Sequence, residues 1–407
     1  MTAGLDPNSP ELQAEQALLG ALLLDATALA PLAAWLHPAH LYRHAHRELY
    51  QLLLARRRAG HPATGPDADP DARRDWALGT LDQARSVSGF TPGYGHTLIA
   101  ACPSAGHAHA YAVLVLEAAV RRELAKHAHR LGSVAATGHH ADVVLLVPAL
   151  ERTLARCSAV WTTATAGHQG PACADPPSPV IPRTAPAGAR ELADEETLIA
   201  VLMARPQALA PLAGQLRPGD FAGPLQRLVY EAMVDLSERA EPVDPLTVLW
   251  RVRATAPTRP ALDLDQVRHV AGREQPGDPG YWAERVILAS ALRTTLACAE
   301  QLRSLAADPR RPVDAVLADA RQLLPPLHEA TGRVRTDGTA PPAGPAATGT
   351  ARTTAASRTG PEHRSAFVLQ TADPRRAPPP GAEESAHPAS PTHARPAQSP
   401  ATGRRHR

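Results

Sequence analysis

Residues 11–25 read ELQAEQALLGALLLD and residues 191–205 read ELADEETLIAVLMAR, one pattern written twice. Shifting the chain by 180 positions lays residues 11–62 over 191–242 without a gap. Glu11, Leu12, Glu15, Leu18, Leu22, Ala28, Leu29, Leu32, Leu36, Arg47 and Tyr50 recur as the same residue type, as do Pro31, Pro38 and Pro62. Leu19, Leu23 and Leu41 face Ile199, Met203 and Phe221. Alanine-rich sequence produces chance matches, but matched Glu, Arg, Tyr and Pro are hard to produce that way, and a duplication constrains the whole fold. A second block matches at a shift of 171, with Tyr111–Val115 over Trp282–Val286 and Arg122 over Arg293. Further on, Ala141–Leu145 resembles Val313–Leu317.

The duplicated unit reads as helical. Ser9 can cap a helix whose first residue is Pro10, where the missing N–H is no loss. Leu12, Leu18, Leu19, Leu22 and Leu23 fall at three- and four-residue spacing and form one apolar stripe. Leu29, Leu32 and Leu36 continue that spacing up to a break at Pro38. Arg43–Arg58 carries Leu49, Leu52 and Leu53 on one side and arginines on the other, and Pro62–Asp75 reads as a loop. Tyr111–Leu131 holds no proline or glycine over five turns or more, and Val143–Ala155 can return against it as an antiparallel hairpin. In the second unit Ala222-Gly223-Pro224 makes the helix start uncertain. Nowhere does period-two alternation persist, so the expected fold class is all-α.

Composition agrees. Of the 407 residues 44% are apolar but only 3% aromatic, a mixture of Leu, Val and Ala that suits helices better than sheets. The 42 prolines are too many for one compact fold. They concentrate the expectation of two irregular segments, a proline-rich linker over 161–189 and a disordered tail over 331–407. The expected organisation is thus a flexible start at 1–9, helical domains at 10–160 and 190–330, the linker between them, and the tail. That tail carries eleven arginines against five acids, while the rest of the chain is slightly acidic. Cys102, Cys157, Cys173 and Cys298 form no C-x-x-C pair, which speaks against a zinc knuckle or disulfide framework. The N-terminus lacks the basic and apolar regions of a signal peptide, and no stretch approaches the roughly 18 apolar residues of a span. The chain reads as soluble and cytoplasmic.

With the pattern assembled, a resemblance emerges. Ala14-Glu-Gln-Ala-Leu-Leu-Gly-Ala-Leu-Leu23 and Leu36-His-Pro-Ala-His-Leu-Tyr-Arg-His-Ala-His-Arg-Glu-Leu-Tyr50 resemble the N-terminal domain of DnaB-type replicative helicases. So do Cys102-Pro-Ser-Ala105, Tyr111-Ala112, Leu216-Arg-Pro-Gly-Asp-Phe221, Arg227-Leu-Val-Tyr230 and Glu241-Pro-Val-Asp-Pro-Leu-Thr-Val248. The likeness spans roughly residues 10–160 and 190–330. It implies two tandem copies of a helical bundle followed by a helical hairpin. In the family that domain pairs with copies of itself into a collar, docks the primase and influences the motor.

The motor's own chemistry is not written here. A phosphate cradle needs G-x-x-x-x-G-K-[ST], and the only lysine, Lys126, follows no glycine loop. The expected function is a non-catalytic interaction module in DNA replication that docks a replicative helicase or primase, or pairs with itself. Alternatives are DNA binding through the arginine-rich tail (Arg375, Arg376 and the terminal GRRHR), or a degenerate helicase relic. Phe367-Val-Leu is an apolar island in that tail that a partner could take up.

No catalytic, cofactor-binding or metal-binding residue is expected. His37, His40, His44 and His46 have spacings that would suit zinc, but the matched positions hold Arg217, Asp220, Pro224 and Gln226, so solvated helix-end histidines are the reading. The pairs His107/His109, His127/His129 and His139/His140 read as polar-face residues. Cys102 near His107 suggests a thiol and base, against the simpler reading of a packed helix-start residue. Glu15, Glu195, Arg47 and Arg227 read as helix-N-terminal charge contacts or interhelical ion pairs. Tyr50 and Tyr230 read as core residues whose hydroxyls reach the surface.

Overall fold

A computed structural model describes residues 9–166, 186–255 and 277–334, with Asp265 and His269 between the last two. Among the described residues there is helix and no strand. The first copy runs α1 (Pro10–Leu24), α2 (Leu29–Leu32), α3 (His44–Arg58), α4 (Pro70–Gln83), α5 (Pro92–Ala100), α6 (Ala108–Thr137) and α7 (His140–Thr165). The second runs α8 (Ala189–Ala204), α9 (Leu209–Leu212), α10 (Pro224–Glu238), α11 (Pro245–Thr255), α12 (Pro279–Ala307), α13 (Val313–Gln322) and α14 (Leu324–Arg333). Most of the linker expected at 161–189 and of the tail expected at 331–407 lies outside the described residues. Thr331–Arg333, however, is helical and ends α14, and Trp161–Thr165 belongs to α7.

Local chemistry fixes the helix starts. Ser9 Oγ accepts from Leu12 N at 3.3 Å with Pro10 in the first turn, as the sequence indicates. The loop expected over Pro62–Asp75 is half wrong. Asp69 caps Ala72 N at 2.6 Å, Pro70 opens the helix, and α4 runs on to Gln83. That helix delivers Trp76 into the core, 1% exposed, where its Nε1 donates to Leu22 O at 2.8 Å. In the second copy, Gly223 precedes α10 without a side-chain cap of its own. Glu195 supplies it from α8, accepting from Ala222 N at 2.7 Å and Gly223 N at 2.9 Å. α7 stays a single helix in spite of Pro148, whereas its counterpart splits into α13 and α14 ahead of Pro325 and Pro326.

Gly20 is where α1 and α5 meet most closely: a Cβ there would overlap the Leu98 carbonyl, a backbone atom that cannot swing away. The matched position in the second copy is Ala200. Gly20→Ala is therefore expected to lower the unfolding free energy by about 1–3 kcal/mol, the range for overpacking, read as a lower urea midpoint. A midpoint that rises, as a plain helix-propensity gain would give, contradicts the contact.

Two apolar cores organise the described residues, all of which belong to one compact unit. The smaller joins α8–α11 to the first half of α12 through Leu202, Tyr230, Met233, Val248, Val286 and Ile287. The larger holds the whole first copy and crosses into the second, taking in Cys298, Ala299, Leu302 and Leu305 of α12, Val316 and Leu317 of α13, and Leu327 of α14. α12 thus belongs to both: its first half closes its own copy's bundle and its second half fills the core of the other. Gly132 on α6 lies at the crossing, where an added Cβ would stand 3.6 Å from the Ala299 Cβ.

Polar contacts tie the same seam. Arg121 on α6 donates to the carbonyls of Asp308 at 2.7 Å and Arg311 at 2.6 Å, closing the turn between α12 and α13. Arg321 donates to Ser158, and His328 lies 3.7 Å from Glu151. Among the described residues no single helix is long and apolar enough to cross a membrane.

Candidate interaction site

The matched charged and aromatic residues perform matched tasks. Glu15, 2% exposed, reaches from α1 to the start of α3 and accepts from Tyr42 N and, at 3.4 Å, Arg43 N. Glu195 does the same for α10, so the helix-N-terminal reading of both glutamates is the structural one. The arginines take a different role from the ion pair considered for them. Arg47 donates to the carbonyls of Leu41 at 2.7 Å and Tyr42 at 2.8 Å, and Arg227 donates to Phe221 O at 2.9 Å. Arg122 and Arg293 complete the set, donating to the carbonyls of His40 at 2.8 Å and Asp220 at 2.6 Å.

The tyrosine hydroxyls do not reach the surface. Both rings are fully buried, and Tyr50 donates to Leu36 O at 3.2 Å as Tyr230 does to Leu216 O at 3.1 Å. A buried hydroxyl must find an acceptor, and the carbonyl before the proline turn is the one in reach. Burial raises both phenols, Tyr230 to about 12.

Of the four clustered histidines, His37 and His44 are exposed as expected, but His46 is fully buried. Its Nδ1 lies 2.6 Å from Glu15 Oε2 and its Nε2 2.7 Å from the Tyr94 hydroxyl, which also receives Arg43 at 2.7 Å and Gln16 at 3.2 Å. A phenol donates once and accepts twice. The set closes when His46 donates to Glu15 and accepts from Tyr94. Both imidazole nitrogens are then used internally, so the carboxylate–imidazole–phenol series has no free atom to present to a substrate. Tyr94 has no partner in the other copy's sequence match, which is why Gln226 at the matched position gave no hint of the network.

His127 and His140 depart from the polar-face reading as well: both are buried, His127 lying 3.0 Å from Thr153 Oγ1. Their partners, His129 and His139, are exposed, as is His107. Cys102 follows α5 rather than starting a helix, and packs where α1 carries Gly20. Burial pushes its thiol up, against the requirement of a nucleophile, and His107 rests on Tyr111. Lys126 sits on α6 with half its side chain exposed, 2.7 Å from Glu123.

Two matching grooves flank the hairpins. The first is a cleft of about 400 Å³ between the 3-10 turn Pro38–His40 and helices α6 and α7, walled by Leu116, Ala119, Val120, Cys157 and Val160, with His37, His40 and Arg156 at its polar edge. The second measures about 230 Å³ and lies between the turn Pro218–Asp220 and helices α12 and α14. The turn and α6 residues of the first groove map onto the second at the shifts of 180 and 171, while Arg156, Cys157 and Val160 map onto Glu329, Ala330 and Arg333. Their linings differ in charge. Arg333 clamps Asp220 through two bonds of 2.6 and 2.5 Å, and Arg217 pairs with Glu329, so the second groove is bridged by its own ions.

His40 stands where Asp220 does. Its Nδ1 accepts from His37 N at 3.1 Å, as Asp220 Oδ2 accepts from Arg217 N at 2.7 Å. Burial first, then the nearby His37, Arg122 and Arg156 charges, lower His40 from 6.5 to about 4 against a small opposing pull from Glu123. Between those values the unfolded chain binds a proton that the folded chain does not, so stability falls as pH is lowered through that window. His127 and His140, also lowered by burial, act in the same direction. His40→Asn keeps the acceptor and removes the titration, and it should flatten the loss of stability between pH 6.5 and 4 in urea-unfolding series; an unchanged slope contradicts the assignment.

The sequence model of the DnaB-like helicase N-terminal domain matches residues 7–117 and again residues 189–269. Sequence similar to this domain therefore occurs twice in the chain, once in each copy. The replicative DNA helicase DnaB of Mycobacterium leprae is 34% identical over 114 residues, and that of Geobacillus stearothermophilus 32% over 113. Each alignment covers 28% of this chain and only 18% and 23% of those helicases. No solved structure matches.

The DnaB-like segments cover α1–α5 and α8–α11, and both end before most of the paired hairpins. Motif reading finds the capping glutamates inside those segments. It misses Tyr94, Val160 and Arg333, which lie where the two copies diverge. The one signal for the last two was the weak likeness of Ala141–Leu145 to Val313–Leu317, which aligns the hairpins to within a residue.

Proposed function

We propose that this chain is a non-catalytic DnaB-type module in DNA replication, in which two helical domains (10–160 and 190–330) pair within one chain and dock a replicative helicase or primase. The observation that carries this reading is the shared core. Leu302 and Leu305 of α12 lie in one apolar cluster with Leu124 and Leu131 of α6. A surface that would otherwise be free for a second molecule is thereby occupied by the chain's own second copy. The DnaB-like sequence of both copies supports replication as the setting. The internally satisfied His46 network and the ion-paired Lys126 favour a scaffold over a reaction centre.

Light scattering after size exclusion, followed by capture of the purified helicase and primase from the same organism, tests it. A monomer or closed oligomer that retains either protein is expected. A chain that binds neither overturns the proposal. The composition of residues 331–407, eleven arginines against five acids, favours a second reading as a salt-sensitive DNA binder. Removing the residues after 334 separates the two, because DNA retention should vanish while capture of the helicase or primase survives.

A further inference from the structure

We propose that the groove of the first copy is a docking site for an acidic, amphipathic segment of a partner protein, with one carboxylate seated against His40 and Arg156 and aliphatic side chains laid on Val120 and Val160. The inference rests on the interaction-module reading in one respect only, that the occupant is a protein.

The second copy shows what completes this groove. There the acceptor Asp220, 2% exposed at its side chain, is met by Arg333 from the facing helix, and the outer pair Arg217–Glu329 closes the mouth. In the first copy each member of that lock has changed. The acceptor has become His40, whose Nδ1 is engaged by His37 N, so that the neutral ring carries its proton on Nε2 as a donor. The clamp has become Val160, which has no donor or charge. The outer pair has become His37 and Arg156, two groups that cannot neutralise each other.

Among the described residues Arg156 has no ion pair, and the one carboxylate in the lining, Glu123, is held by Lys126 at 2.7 Å. The groove is thus rich in donors and poor in acceptors, over an apolar floor of Leu116, Ala119 and Val120. The half-buried His40 and the exposed Arg156 line the same groove, and a carboxylate taken up between imidazole and guanidinium would form charge-assisted hydrogen bonds to both. The larger volume, about 400 against 230 Å³, is the space that the internal lock fills in the other copy.

The test rebuilds that lock. His40→Asp with Val160→Arg reproduces in the first copy the pair that seals the second, and Arg156→Glu reverses the edge charge while leaving the floor intact. The probes are two labelled twelve-residue amphipathic helical peptides, one with a single Glu flanked by Leu at the preceding and following turns, the other its Glu→Gln twin. Fluorescence anisotropy with the full chain is expected to show the Glu peptide binding about tenfold more tightly than the twin, a difference near one unit of log Kd. Arg156→Glu should erase that preference, and the double variant should bind neither peptide while unfolding at the same or a higher urea concentration. Equal affinity for the two peptides, undiminished binding to the double variant, or no binding of either peptide to the parent chain overturns the proposal. If the double variant still captures helicase or primase, the groove assignment fails and the docking reading stands. If the peptides bind as expected but neither helicase nor primase is captured, the reverse holds.

Discussion

Replacing Glu15 by alanine is expected to lower the unfolding free energy by about 3–5 kcal/mol, the range for stripping the partner from a buried charged network. The carboxylate is 2% exposed and serves Tyr42 N, Arg43 N and His46 Nδ1 together. Its removal leaves the two backbone N–H groups just ahead of α3 without acceptors and the fully buried His46 with one ring nitrogen unmatched. Tyr94, which depends on His46 and Arg43, loses its alignment next. Glu15→Gln keeps one acceptor oxygen for the backbone and should retain part of the stability. Urea unfolding followed by tryptophan fluorescence reads both variants, since Trp35 and Trp76 lie in the same core. An alanine variant within about 1 kcal/mol of the parent, the scale of an exposed contact, contradicts the buried network.

The second large effect concerns Leu302, fully buried on a helix of the second copy but in the core of the first. Leu302→Ala should cost about 2–5 kcal/mol, the transfer and cavity terms together. Where the loss appears matters more than its size. With one continuous core, amide hydrogen exchange should quicken in α1 and α6 of the first copy as well as in α12. Two copies that are stable on their own would confine the change to α12–α14 and leave residues 10–58 as protected as before.

Much of this was legible in the sequence because helix ends and apolar stripes are local. Ser9 and Pro10 set the start of α1, and the leucines of 12–23 fix its buried face, from neighbours within a few residues. The duplication carried the rest of the front bundle, since Glu15 and Glu195 share a spacing and turned out to share a task. What was not legible depended on contacts distant in sequence. Asp69 and Pro70 start a helix by ordinary capping rules, yet the variable middle hid them because no second copy repeated it. His46 read as solvated because its partners, Glu15 and Tyr94, stand 31 and 48 positions away. The Leu36 and Leu216 carbonyls become acceptors for the Tyr50 and Tyr230 hydroxyls only once the turn at Pro38 or Pro218 has folded back, a contact no local pattern shows. The exchange of Asp220 and Arg333 for His40 and Val160 needed the hairpins aligned in space, where the sequence match is thinnest.

The two copies share one core within a single chain. An added Cβ at Gly132 stands 3.6 Å from the Ala299 Cβ, inside the usual disulfide range of about 3.5–4.5 Å. With the four native cysteines replaced by serine or alanine, Gly132→Cys with Ala299→Cys should oxidise to an intramolecular disulfide in dilute solution. Mass spectrometry of mixed isotopically light and heavy protein should find the cross-linked peptides light–light and heavy–heavy alone. Two free thiols after oxidation, or peptides joining light to heavy, would contradict the pairing of α6 and α12 within one molecule.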